Sequence, residues 1–384
     1  MKLFKRILVV LLALVFLVNL YIILSGHSYI YTAVWYNLAD IDDAQFFESR
    51  TIKAVKPVAL PRSVAYNQGE MSQQVLDYHK QMESVAYIAI RNDSLLHEEY
   101  WDGYSESSLS SSFSISKSVV AAMIGVALKE GKLKSLDEPV GNYLPHFAEG
   151  KNKALTIRHL LTMSAANNFD ESYVNPFSFT TEAYYGNNLP TLMEKLNVVS
   201  EPGKMFDYQS GNQIILAAVL EKATGQNLST YLSEKIWTPM GAMHDATWSL
   251  DKKDSHEKAY CCINSNAIDF ARFGQIYLHH GKLYGNDILD SSFVAESITP
   301  ANINDEHGKP CDFYGLGWWL TNIDHKGKIH QVYYMRGILG QYCLVIPDKN
   351  LVIVRLGHKR SNDKIGEHCP DIYEYMHGIL DAYE

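Results

Sequence analysis

The chain has 384 residues, 47% hydrophobic and 20% charged, with 34 Lys and Arg against 43 Asp and Glu and a formal net charge of −9. That balance excludes disorder, collagen and coiled coil, and the scattered cations form no basic stripe for a phosphate backbone, so nucleic acid is not expected as a partner. Beyond roughly 250–300 residues a single core stops growing, which predicts two packed subregions around a shared cleft.

Lys2, Lys5 and Arg6 precede an apolar run from Ile7 to Leu24, broken by Asn19. At about 1.5 Å per residue this run spans roughly 27 Å as a helix, close to the thickness of a bilayer core. It exceeds the apolar stretch of a cleaved signal, and Leu24-Ser25-Gly26-His27 is a poor cleavage site, so an uncleaved membrane anchor is expected over residues 1–25. The positive-inside rule then puts the rest outside the cytoplasm, in the cell envelope, or secreted if the segment is a signal after all. Residues 26–69, with Lys56-Pro57 and Leu60-Pro61, read as a membrane-proximal connector packed on a main domain over 70–384.

Within that domain Met71 to Met82 is a candidate helix. Val85 to Ile90, the turn Arg91-Asn92-Asp93-Ser94 and Leu95 to Tyr100 read as strand, turn and strand. Ile115 to Leu128 is helical sequence ending at Gly131, with apolar residues on all sides, which predicts a central buried helix. Thr156 to Met163, Asn212 to Ala223 and Ala267 to Leu278 follow as helices, each with a capping-type residue at its start. Cys343 to Ile346, the turn Pro347-Asp348-Lys349-Asn350 and Leu351 to Leu356 form a second hairpin pattern. Strands at both ends enclosing helices predict one antiparallel sheet built from distant segments, with a helical part inserted.

Five cysteines leave at least one unpaired. The neighbours Cys261 and Cys262 have Cα atoms about 3.8 Å apart, below the usual disulfide range, so buried thiols are expected rather than a bond between them. No C-x-x-C or H-E-x-x-H pattern occurs and His279-His280 point in opposite directions on most backbones, so no metal site is expected.

Three motifs carry chemistry. Ser114-Ile115-Ser116-Lys117 heads the buried helix, and a spacing of three sets Ser114 and Lys117 on one face. Burial and the positive helix end disfavour a charged amine there, which suits Lys117 to accept the serine proton, while backbone N–H groups lie ready for an oxyanion. The second motif, Phe206 to Asn212, is a polar turn opening a helix and aims Tyr208 at a cleft, where a phenol beside a lysine can move protons. The third, Arg336-Gly337-Ile338-Leu339-Gly340-Gln341, places glycines before the last hairpin, where backbone and substrate can approach closely.

In this order the motifs resemble the β-lactamase-related serine hydrolases: class C β-lactamases, DD-peptidases, esterases of that fold and 6-aminohexanoate-dimer hydrolases. The resemblance runs over roughly residues 70–384. Leu155 to Ser164, Ala259 to Gly274 and Tyr314 to Trp319 also look like segments of that family. It implies an α+β, β-lactamase/transpeptidase-like fold, in which an antiparallel sheet is flanked by helices and a mostly helical subdomain is inserted. It further implies Ser114 as acylated nucleophile, Lys117 as its proton acceptor, Tyr208 as the proton carrier to leaving group and from water, and the N–H groups of Ser114 and Ile338 as oxyanion hole. No cofactor or metal is implied.

Two departures bear on substrate. Met335-Arg336-Gly337 stands where β-lactamases and DD-peptidases have Lys-Thr-Gly, and Ser210 stands where the tyrosine motif has asparagine. Ser210, Arg336 and Gly337 are thus the candidate substrate contacts, Arg336 supplying a cation if a bulge turns it inward. The expected function is cleavage of a small-molecule ester or amide, or of a peptide, through an acyl-enzyme. A DD-peptidase or β-lactamase is the enzyme alternative and a non-catalytic envelope-binding module the non-enzyme one.

Overall fold

The computed structural model describes residues 1–36 and 38–384. Among the described residues three antiparallel sheets are built from β1 (Ser49–Ile52), β2 (Ser84–Arg91), β3 (Ser94–Tyr100), β4 (Ser110–Ser111), β5 (Ala246–Ser249), β6 (Ile263–Ser265), β7 (Lys282–Leu283), β8 (Asn286–Asp287), β9 (Trp319–His325), β10 (Lys328–Gly337), β11 (Gln341–Ile346) and β12 (Leu351–Gly357). The main sheet has the order β3-β2-β12-β11-β10-β9. The two expected hairpins meet in it, Ile90 opposite Val352 and Ile88 opposite Val354. Val85 to Ile90 and Leu351 to Leu356 are buried throughout, so these strands read as apolar runs, broken by the buried Arg355, because both sheet faces are covered. Asn92 and Asp93 close the first hairpin with φ of 50° and 58°, the left-handed pair that matches strand twist.

The helices are α1 (Lys2–Leu24), α2 (Tyr29–Tyr36), α3 (Gln73–Gln81), α4 (Ile115–Lys129), α5 (Ile157–Leu161), α6 (Phe179–Tyr185), α7 (Leu189–Glu194), α8 (Gly211–Thr224), α9 (Leu228–Leu232), α10 (Ala267–Leu278), α11 (Ser291–Ser297) and α12 (Asp371–Tyr383). Phe270 and Phe273 of α10 and Val120 of α4 share one core with Val352 and Val354. On the opposite face Tyr375 and Ile379 of α12 pack with Tyr87, Leu344 and Ile353. Helix α4 is buried from Ile115 to Ala127, which explains why its apolar residues form no single stripe. Helix α1 is long and apolar enough to cross a bilayer, and its buried residue is Ile22.

The helix expected over Thr156 to Met163 stops at Leu161, because Met163 turns to φ 56° and cannot extend it. A four-stranded sheet of order β1-β5-β6-β4 was not anticipated. Its strands, two to four residues long, are too short to show a period of two, and β1 is recruited from residues before the main domain.

Candidate active site

Phe113 is buried in a left-handed conformation, φ 43°, immediately before α4. Such a φ is costly for an aromatic residue and is held here by its carbonyl, which accepts from the Ser112 and Ser116 hydroxyls at 3.1 and 2.9 Å. The turn presents Ser114, the N-cap residue, half-buried at the mouth of a cavity. One turn on, Lys117 is 2% exposed. Its Nζ donates to Ser114 Oγ at 2.8 Å, Ser210 Oγ at 3.0 Å and the Tyr260 carbonyl at 3.0 Å.

The hydrogen-bond partners of Lys117 limit what it can do. The Tyr260 carbonyl can only accept, and the Ser210 hydroxyl spends its proton on Glu171 Oε1 at 2.7 Å. A neutral amine therefore gives its two N–H groups to those partners and keeps its lone pair for the Ser114 hydroxyl. An ammonium donates to all three. The same geometry accommodates both proton states, as transfer from Ser114 to Lys117 requires.

Ser210 is the N-cap residue of α8 but spends its hydroxyl elsewhere: it is joined twice to Glu171, whose Oε2 also accepts the Ser210 backbone N–H at 2.7 Å. Tyr173 donates its hydroxyl to the same carboxylate at 2.7 Å. The segment carrying Glu171 is held by Gln209, whose Nε2 donates to the carbonyls of Asn167 and Phe169, both at 3.0 Å. Asn212, two residues beyond Ser210, faces away and accepts from Asn167 Nδ2 at 2.8 Å. Ser210 thus passes the lysine contact on to a carboxylate. Nothing local in the sequence marks Glu171, which lies 39 residues from Ser210.

Tyr208 meets Lys117 through its ring, with Nζ 5.0 Å from the centroid, and packs against Trp319 at 5.6 Å. Its hydroxyl has no hydrogen-bond partner among the described residues. Gly337 ends β10 against the turn before α4: a Cβ there would lie 2.4 Å from the Ser112 carbonyl, so glycine is what lets Ile338 reach the cavity wall beside Ser114. Met335 belongs to the main core, and Arg336, on the alternate face, stacks 3.4 Å over Trp319 and donates to the Glu367 carbonyl at 2.9 Å. Arg336 is not among the residues lining the cavity around Ser114.

That cavity encloses about 540 Å3 and includes Ser114, Ser210, Tyr173, Tyr185, Tyr260 and Ile338 in its wall. Helix α6 forms one side and is anchored by Lys258, which was not anticipated. This fully buried lysine donates to the carbonyls of Ala183 and Tyr184 at 3.0 and 2.8 Å, at the negative end of α6. Burial pulls its pKa down to about 7.

The cysteine expectation needs correction. Cys261 and Cys262 are joined in a disulfide with Cα atoms 3.7 Å apart, and Cys261 lines the cavity. Neighbouring side chains diverge on extended backbone, but Cys262 sits at φ 70°, where the turn brings both sulfurs to one side. Cys311, Cys343 and Cys369 are the buried thiols expected.

The family model described as Beta-lactamase matches residues 69–372. The chain is 26% identical over 287 residues to the 6-aminohexanoate-dimer hydrolase of Paenarthrobacter ureafaciens, covering 71% of each chain. Over 351 residues it is 24% identical to penicillin-binding protein 4* of Bacillus subtilis (strain 168), 79% of this chain and 72% of that one. A solved structure assigned as a 6-aminohexanoate-dimer hydrolase from Bacillus anthracis superposes with a TM-score of 0.71 at 20% identity, over 89% of this chain and 92% of that one. The fold implied by the sequence motifs is the one observed.

Proposed function

The chain belongs to the beta-lactamase family, and from that premise we propose that it is a serine hydrolase cleaving an ester or amide bond through an acyl-enzyme on Ser114. The observation that carries this reading is the 2.8 Å contact of the buried Lys117 amine with the half-buried Ser114 hydroxyl at the cavity mouth. Lys117 takes the Ser114 proton as Oγ attacks the acyl carbon, and the developing oxyanion is met by the N–H groups of Ser114 and Ile338. Tyr208 carries a proton to the leaving group, and the reverse transfers admit water to release the acid.

The absence of a lysine at Met335, and the engagement of Arg336 with Trp319 and Glu367, favour substrates without a carboxylate beside the scissile bond. With α1 retained as an anchor, the catalytic domain lies outside the cytoplasm. The test is labelling of the full chain with a fluorophosphonate followed by intact-mass measurement. One adduct on Ser114, absent from Ser114→Ala, is expected. An adduct that persists in the Ala variant refutes the assignment, and no labelling at all favours a binding module.

A further inference from the structure

Tyr185 forms one wall of the catalytic cavity and also packs against Ile22, Tyr29 and Ile30. Ile22 belongs to the last turn of α1, so Tyr185 links the cluster at the end of the bilayer-length helix to the cavity holding Ser114. Helix α2 packs on α6, which forms the same wall. On the outside, Val34, Trp35 and Leu38 are 76%, 83% and 74% exposed, and Val174 is 92% exposed on the loop that carries Tyr173. Phe177 of that loop joins the two parts, its ring 5.4 Å from His27 and 6.4 Å from Tyr21 of α1. The stretch from Tyr29 to Leu38 carries no Asp, Glu, Lys or Arg. Leu38 and Tyr173 continue this apolar strip over the cavity rim.

We propose that the face made by α2 and the 171–177 loop rests in the bilayer surface, and that the cavity takes an acyl ester borne by the membrane. This rests on the serine-hydrolase reading and on retention of α1. A bilayer is the occupant because the strip is continuous with a membrane-length helix and presents aromatic residues at its end, where the interface favours them. Leu38, Tyr173 and Ser114 line one cavity, together with Lys359, Arg360 and Asn362, so an acyl chain leaving the bilayer past Leu38 and Tyr173 enters the space that Ser114 faces. Ser114 Oγ then bonds to the acyl carbon, the ester C–O bond breaks and the alcohol leaves with a proton. Water splits the acyl-enzyme to a carboxylic acid and returns the serine proton.

The test uses the full chain in phosphatidylcholine vesicles. Brominated phosphatidylcholine should quench a tryptophan component that disappears in Trp35→Phe, since Trp237, Trp248, Trp318 and Trp319 are buried and the half-buried Trp101 is stacked on His79, whereas Trp35 is 83% exposed. 4-Methylumbelliferyl palmitate dissolved in the vesicles should be hydrolysed faster than the water-soluble acetate. Val34→Ser with Trp35→Ser, neither lining the cavity, should lower palmitate turnover about tenfold and leave acetate turnover unchanged. Acetate hydrolysis by Ser114, together with slower palmitate turnover and no Trp35 quenching, overturns the membrane docking alone. Failure of both esters with no labelling of Ser114 overturns the hydrolase reading instead. Should the double serine variant misfold, the quenching comparison decides by itself.

Discussion

At the scale of residues, the network around Lys117 has a feature that the S-x-x-K spacing alone does not contain: the contact to Ser210 ends on the Glu171 carboxylate. In the proposed mechanism Glu171 is a positioning residue, acting through Ser210. In Glu171→Gln one acceptor oxygen becomes a donor, so the Ser210 N–H and O–H can no longer both be accepted. Loss of a charge-assisted bond, about 1.5–3 kcal/mol, should lower kcat roughly ten- to a hundredfold. Near-native kcat in that variant would show that Glu171 only braces the loop. Lys117→Arg should lose on the order of a hundredfold or more in acylation, because a guanidinium stays protonated and cannot take the serine proton. Stopped-flow labelling of the two proteins measures it, and near-native rates would make Lys117 structural.

At the scale of elements, α6 is a short helix of seven residues that forms a wall of the cavity, and isolated helices of that length do not hold in water. Its stability is borrowed from tertiary contacts: Ser178 caps its start and accepts from the Thr181 N–H, while Lys258 holds its last carbonyls. In Lys258→Met both hydrogen bonds go while the aliphatic stem stays. The expected outcome is faster amide exchange across Phe179–Tyr185 and a loss of about 1–3 kcal/mol in stability. Unchanged exchange in that segment would show that the rest of the wall holds α6 in place. The same reasoning explains why the buried helix α4 was readable from its composition but α6 was not, since α4 carries its own apolar content over fifteen residues.

For the whole molecule, three buried histidines set an acid limit to stability. Burial, with Arg355 nearby, brings His79 down to about 3; burial brings His97 to about 4, and burial with Arg336 nearby brings His368 to about 4, against an ordinary value of 6.5. Above 6.5 both folded and unfolded chains hold them neutral. As pH falls from 6.5 towards about 4 the unfolded chain takes up protons that the folded chain refuses, so stability falls, by up to about 1.4 kcal/mol per pH unit for each group. Urea unfolding of the full chain in detergent across that window should show the decline, and His79→Phe should flatten it, since the ring site among Tyr87, Trp101 and Tyr375 suits an uncharged aromatic. A slope unchanged in that variant would assign the acid sensitivity to other groups.

What the sequence determined by itself were the features whose cause is local. Apolar runs and turn residues marked both hairpins, a continuous apolar content marked α4, and a spacing of three put Ser114 beside Lys117, because helix geometry alone sets that distance. What only the tertiary structure decided were contacts between segments far apart in the chain. Glu171 reaches Ser210 across 39 residues, Lys258 reaches α6 across 74 and 75, and β1 is drawn into a sheet with β5, none of which leaves a periodic trace. The Cys261–Cys262 bond belongs there too: the Cα spacing argued against it, and a left-handed turn at Cys262 brought the sulfurs together. Arg336 shows the same division, since strand alternation set its face, but the stacking on Trp319 that occupies its guanidinium follows from a register between β9 and β10 that arises only when the sheet assembles.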